Sequence, residues 1–136
     1  MTLCDASPLV ALVNRADPDH QNCLNVLPNL TGKLITTYPC FTEAMYLLGR
    51  YGGWSAQQQL WEYIADDILE ILPQGRAELS RMNTLMEQYR DRPMDLADAS
   101  LVVAAETLNQ TLVFTLDSDF YVYRLKDGQS FEVIPG

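Results

Sequence analysis

Short apolar or β-branched runs alternate along this chain with longer stretches whose apolar residues recur at helical spacing. The short runs are residues 2–5, Leu34-Ile35-Thr36-Thr37, Ile68-Leu69-Glu70-Ile71-Leu72, Thr111-Leu112-Val113-Phe114-Thr115 and Phe131-Glu132-Val133-Ile134, and each reads as a strand. After the first, Ser7 as N-cap and Pro8 at the first helical position predict a helix carrying Leu9, Val10, Leu12 and Val13. A second helix is expected from Pro18 to about Leu27. A third follows Pro39, carries Phe41, Met45, Leu47 and Leu48, and stops at Gly52-Gly53. Ser55 then caps a fourth, with Leu60, Trp61 and Ile64, and a fifth spans about Arg76 to Tyr89.

The stretch from Arg92 to Glu106 differs from all of these. Leu96, Ala97, Ala99, Leu101, Val102, Val103, Ala104 and Ala105 make it apolar on nearly every side, which places the helix in the interior. Yet it opens with two carboxylates, Asp95 and Asp98, three residues apart and therefore on one face. One explanation is capping, with Asp95 as N-cap and Asp98 in the first turn near the positive end of the helix dipole. The other is that at least one of them faces a metal ion.

Strands alternating with helices imply a parallel sheet covered on both faces, an α/β class of fold in which sites form beyond the carboxyl ends of the strands. Asp5 follows the first strand and Asp117 the fourth, while Glu43 lies one helical turn beyond the second. The helix that opens with Asp95 and Asp98 feeds the fourth strand. It is expected to begin on the opposite side of the sheet unless it is steeply inclined. Each acid has an ordinary role available. Asp5 can be a turn residue, Asp117 can cap a short helix at Phe120 to Tyr123, Glu43 can favour a helix dipole, and Asp119 can be solvated. Jointly these roles fit less well, because carboxylates gathered without cations repel one another unless a divalent ion compensates them. Ligands that are all oxygen point to a hard ion, Mg²⁺ or Mn²⁺.

Composition narrows the field. A chain of 136 residues with 48% hydrophobic and 20% charged residues is expected to form one globular domain, residues 1–136. No apolar run reaches the roughly 20 residues of a membrane span, and no signal peptide is visible. Cys4, Cys23 and Cys40 show no metal-ligand spacing and are read as reduced thiols of a cytoplasmic protein. His20, the single histidine, sits in a polar stretch and is expected at the surface. The net charge of −9 repels nucleic acid on average, so any nucleic-acid function needs local basic patches or bound cations. Gly49, Gly52 and Gly53 do not make a phosphate loop, since the Lys-Ser/Thr of that motif is missing.

Four stretches together resemble a known family: Leu3-Cys4-Asp5-Ala6-Ser7, Thr42-Glu43, Met94-Asp95-Leu96-Ala97-Asp98-Ala99-Ser100-Leu101 and Thr115-Leu116-Asp117-Ser118-Asp119-Phe120. In order and spacing they resemble the PIN domain, most of all the single-domain VapC-like ribonuclease toxins. The resemblance runs over essentially the whole chain. It implies a three-layer α/β/α fold with a parallel sheet of order 3-2-1-4-5. It maps the family's acidic pocket onto Asp5, Glu43, Asp98 and Asp117 as catalytic residues, with Asp5, Asp98 and Asp117 as metal ligands. Asp95 is then an accessory acid or the cap, Ser7 and Thr115 are supporting hydroxyls, and Asp119 is an additional acid near the pocket.

The chemistry implied by the resemblance is Mg²⁺- or Mn²⁺-dependent hydrolysis of RNA, with the acids mainly as ligands. It also implies a homodimer and an antitoxin partner. The exposed-looking surplus of Trp54, Trp61, Tyr63, Leu60 and Ile64 on the third and fourth helices agrees with a partner surface. Candidate RNA contacts are Arg50, Arg76, Arg81, Arg90, Arg92, Arg124 and Lys126. A non-catalytic PIN-like interaction module is the alternative. A phosphoryl-accepting receiver would need paired acids after the first strand and a lysine near the last. A haloacid-dehalogenase-type phosphatase would need Asp-x-Asp where this chain has Asp5-Ala6-Ser7.

Overall fold

The computed structural model describes residues 1–135. Its five strands are β1 (Thr2–Cys4), β2 (Leu34–Thr37), β3 (Leu69–Leu72), β4 (Leu112–Phe114) and β5 (Glu132–Ile134). They form one sheet in the order β3-β2-β1-β4-β5, parallel at every pairing. The helices are α1 (Ala6–Val13), α2 (His20–Val26), α3 (Tyr38–Ala65), α4 (Arg76–Gln88) and α5 (Leu96–Leu108). The predicted strand order is the observed one. Successive residues of a strand face opposite sides of a sheet, so β1 and β2, buried at every position, are covered on both faces.

The apolar helix lies where its composition demands. Residues 97 to 105 of α5 are all buried, and exposure is confined to Leu96 at its start and residues 106–108 at its end. Asp95 is the N-cap, its side chain accepting the Asp98 N–H at 2.8 Å. At the other end Asn109 takes the left-handed conformation (φ 51°, ψ 49°) that asparagine tolerates and helix C-termini favour. The Gln110 side chain then donates to the Met1 carbonyl at 2.9 Å, which anchors the exit of α5 beside the amino end of β1. α5 therefore starts at the carboxyl edge of the sheet, contrary to the expectation from its place before β4. A helix that feeds a parallel strand must deliver the chain to that strand's amino end. Here α4 and the turn after it return the chain to the carboxyl edge first.

Two helix starts differ from the sequence expectation. α1 is capped by Asp5, not Ser7. The Asp5 backbone is extended (φ −77°, ψ 169°), and its carboxylate accepts the Ala6 N–H at 2.7 Å. Pro8 is still accommodated, because a first-turn N–H has no helical acceptor to lose. The third and fourth predicted helices are joined as α3 and separated only by the break at Gly53 (φ 65°, ψ −158°), so Ser55 is already inside the second segment. Thr37 caps the first segment, accepting the Cys40 N–H at 3.4 Å. His20 is half-buried rather than solvated, its Nδ1 2.6 Å from the Ala11 carbonyl, which ties α2 to α1. All three cysteines are free and buried.

Hydroxyls stitch α5 to the sheet. Thr37 donates to Ser100 Oγ at 2.6 Å, and Ser100 in turn donates to the Ala97 carbonyl at 2.7 Å. Thr36 donates to the Cys4 carbonyl at 2.8 Å. Arg81 of α4 makes a bidentate pair with Glu106 of α5 at 3.0 and 2.9 Å.

Gly53 combines a positive φ with an extended ψ, a region open essentially to glycine alone, and a Cβ there would meet no atom within 4 Å. Gly53→Ala should therefore destabilise through the backbone only, by about 1–3 kcal/mol. Urea denaturation should show a lower midpoint with an unchanged slope.

Candidate metal and active site

Three segments deliver acids to one point at the carboxyl edge. Asp5 follows β1 directly, and its N–H donates to the Phe114 carbonyl at 2.9 Å, so the strand ladder holds its backbone. Asp117 follows β4 and caps a one-turn 3₁₀ helix (Ser118–Tyr121) through the Asp119 N–H, at 2.9 Å. Asp98 is the third residue of α5. Its N–H is taken by Asp95, which leaves its side chain free to turn inward. One carboxylate oxygen from each of Asp5, Asp98 and Asp117 lies within 4.8 Å of the others.

Each acid is held by donors. Thr115 Oγ1 donates to Asp5 Oδ2 at 2.8 Å and accepts the Asp117 N–H at 3.0 Å, so one hydroxyl links the two segments. The Cys40 thiol sits 3.7 Å from Asp5 Oδ1 and 3.6 Å from the Ala97 carbonyl. Tyr123 donates its phenolic O–H to Asp98 Oδ2 at 2.9 Å. Asp5 and Asp98 are each only 6% exposed.

Burial and mutual repulsion act in the same direction on these groups. Burial raises Asp5 above the usual carboxylate range, against the Thr115 and Ala6 hydrogen bonds, and the Asp117 and Asp95 charges add to the rise. Asp98 is pushed up to about 7, first by burial and then by the Asp95 charge, against the Tyr123 hydrogen bond. Glu43 is raised by burial and by Asp95, Asp5 and Asp117 in turn. Burial and then Asp98 hold the Tyr123 phenol well above its ordinary value.

The remaining sequence candidates are placed as follows. Glu43 is exposed at the rim, within the field of the other acids but outside the close set of three. Asp95 is exposed and serves as the cap. Asp119 pairs with Arg92 Nε at 3.2 Å. Ser7 Oγ accepts the N–H of Leu116, the residue before Asp117, at 3.3 Å. Thr115 lies between Asp5 and Asp117. Tyr123 and Cys40 were not anticipated. The signal for Tyr123 was its place three residues after Phe120, where a ring that packs with Phe120 needs a partner for its hydroxyl. Cys40 carried no such signal.

The donor set is all oxygen, carries like charges and is closely spaced, and it suits a hard divalent cation. Without one, Asp98 binds a proton more tightly in the folded chain than in the unfolded chain. Its contribution to stability is complete below the ordinary carboxylate range and is lost as pH rises through about 7. In EDTA, Asp98→Asn should therefore melt higher than the wild type at pH 8, by more than about 1 kcal/mol, one pKa unit being worth about that much. The difference should shrink towards pH 4. Thermal melts across this range measure it. A mutant that melts lower throughout would make Asp98 a favourable dipole partner and nothing more.

The PIN domain family model matches residues 2–125. Ribonuclease VapC26 of Mycobacterium tuberculosis is 28% identical over 134 residues, 98% of this chain and 99% of the relative. The solved structure of M. tuberculosis VapC20, described as a Sarcin-Ricin loop cleaving toxin, superposes with a TM-score of 0.83 at 16% identity, covering 90% of this chain and 94% of that one. VapBC2 of Rickettsia felis, bound to a DNA fragment from its promoter, gives a TM-score of 0.67 at 14% identity over 97% of both chains. With the family model spanning nearly its whole length, this chain belongs to the PIN domain family.

Proposed function

We propose that this protein is an endoribonuclease that hydrolyses RNA phosphodiester bonds with Mg²⁺ or Mn²⁺, and that it is the toxin of a toxin–antitoxin pair. The observation that carries this is the convergence of Asp5, Asp98 and Asp117 in a PIN-domain chain. It is supported by relatives described as a ribonuclease and as toxins, one of them in a toxin–antitoxin complex from Klebsiella pneumoniae.

In this reading Asp5, Asp98 and Asp117 hold the ion, and Glu43 is the fourth catalytic acid, acting from the exposed side. When bound, the ion would polarise the scissile phosphate and lower the pKa of an attacking water. The chain's own part is to present oxygens in fixed positions. Thr115 and the Ala6 N–H restrain Asp5, and the Asp119 N–H restrains Asp117. Asp95 and Asp119 are accessory, the first shaping the start of α5 and the second holding Arg92.

RNA must approach against the overall charge, so the position of the cations matters. Arg81 is committed to Glu106 between two helices and is set aside. Arg92 is tied to Asp119, whose N–H caps onto Asp117, and Arg124 spends one nitrogen on the carbonyls of residues 121–123. These two, with exposed Arg90, lie on the segments that border the acids. Arg50, Arg76 and Lys126 are exposed elsewhere on the chain.

The partners proposed are a second copy of the chain and an antitoxin. Trp54 and Trp61 are exposed, as are Tyr38, Tyr46 and Tyr51 of the same helix, whereas Leu60 is fully buried. Tyr38, Met45, Tyr46, Trp61 and Ile71 border a groove of about 830 Å³ between α3 and β3.

Purified protein should cleave RNA from a panel of structured and single-stranded substrates in Mg²⁺ or Mn²⁺, and EDTA should stop it. Asp5→Asn and Asp98→Asn should lose activity by orders of magnitude. Cleavage that persists in EDTA would refute the metal mechanism. For the assembly, light scattering at tens of micromolar should give about twice the 15.4 kDa chain mass. A clean monomer would refute the homodimer.

A further inference from the structure

Within the acidic centre, the three carboxylates are not held alike. Asp5 has one oxygen on Thr115 and the other on the Ala6 N–H. Asp117 spends an oxygen on the Asp119 N–H. Both therefore lean on backbone donors that the strand ends and helix starts supply. Asp98 shows no such backbone donor on its carboxylate, the first turn of its helix being capped by Asp95. The hydrogen bond found at its side chain comes from Tyr123, to Oδ2 at 2.9 Å.

Tyr123 is built to hold that position. Its side chain is fully buried. Its ring stands edge-on to Tyr89 and to Phe120, with centroids 5.0 and 5.1 Å away, and Phe120 is braced in turn by Phe131 at 5.4 Å. Its backbone is fixed as well. The Tyr123 N–H donates to the Asp119 carbonyl at 3.1 Å, and its carbonyl accepts from Arg124 at 3.0 Å. A ring held on two sides and at both backbone groups places its oxygen with little freedom. Tyr123 engages Oδ2 of Asp98, and one oxygen of the same carboxylate lies within 4.8 Å of an oxygen from each of Asp5 and Asp117.

We propose that Tyr123 is the positioning residue of this site: it fixes the Asp98 carboxylate in the orientation that presents one oxygen to a divalent cation. The inference rests on the metal-site reading given above and deepens it. Carboxylate ligands depend on such outer donors, and losing one typically costs about 10–100-fold in metal affinity. Tyr123→Phe keeps the ring and removes the one donor. The packing control is Tyr89→Phe, which removes a hydroxyl from the same aromatic cluster, one that accepts the Arg124 N–H and does not touch Asp98.

The test is Mn²⁺ binding by isothermal titration calorimetry on the full chain, with metal-free melting temperatures for each protein. Tyr123→Phe should bind Mn²⁺ about 10–100-fold more weakly than the wild type, and Tyr89→Phe should bind as the wild type does. A Tyr123→Phe protein that melts lower yet binds Mn²⁺ with wild-type affinity would make Tyr123 a packing residue and overturn the inference while leaving the metal site standing. Equal weakening by both substitutions would likewise assign the effect to packing. Wild-type protein that takes up no Mn²⁺ would overturn the metal-site reading, and the inference with it.

Discussion

Three carboxylates are collected at the carboxyl edge of the sheet, two of them nearly excluded from water, and the surrounding structure is arranged to tolerate that. Buried charge is costly unless it is hydrogen-bonded or compensated, and like charges make it costlier. The fold answers with helix starts. Asp5 caps α1, Asp98 is in the first turn of α5, and Asp117 caps the 3₁₀ helix. Helix N-termini carry unpaired N–H groups and the positive end of the dipole, so each acid is brought in on an element that favours negative charge. Backbone N–H groups hold one oxygen of Asp5 and one of Asp117, while the Asp98 carboxylate is held by the Tyr123 hydroxyl.

The same constraint explains why α5 is so apolar. Its first turn must sit over the end of β1 for Asp98 to meet Asp5, so the helix lies across the middle of the sheet and buries residues 97 to 105. Small residues make that close approach possible. Ala97, Ser100 and Ala104 let the helix sit down on the sheet, and Ser100 satisfies its hydroxyl through Thr37 and the Ala97 carbonyl. Packing and chemistry use the same residues. A change that tilted α5 would move Asp98 relative to Asp5 as well as open the core.

Arg92 pairs with Asp119, Arg124 donates to the carbonyls of residues 121–123, Arg90 pairs with Glu87, and Arg81 fastens α4 to α5. Tyr38, Tyr46, Tyr51, Trp54 and Trp61 are exposed on α3, whose break at Gly53 turns its second half, and Tyr121 is exposed on the 3₁₀ helix.

The strands, their number and the interior place of α5 were legible in the sequence, because burial on both faces forces unbroken apolar runs and apolar helices. The four motif stretches, read together, also carried the strand order through the resemblance. Asp5, Asp98 and Asp117 were readable because each sits at a strand end or helix start, where local pattern and position coincide. What local pattern does not contain is direction and distance. It placed the start of α5 on the wrong side of the sheet, since nothing in residues 76–95 states how far α4 and its turn carry the chain back. It made Ser7 the cap of α1, because Ser-Pro is a helix start wherever it occurs, whereas the ladder bond of Asp5 to Phe114 decides where β1 ends. Tyr123 and Cys40 touch Asp98 and Asp5 across 25 and 35 residues of sequence, and only the closed tertiary structure brings such partners within a hydrogen bond.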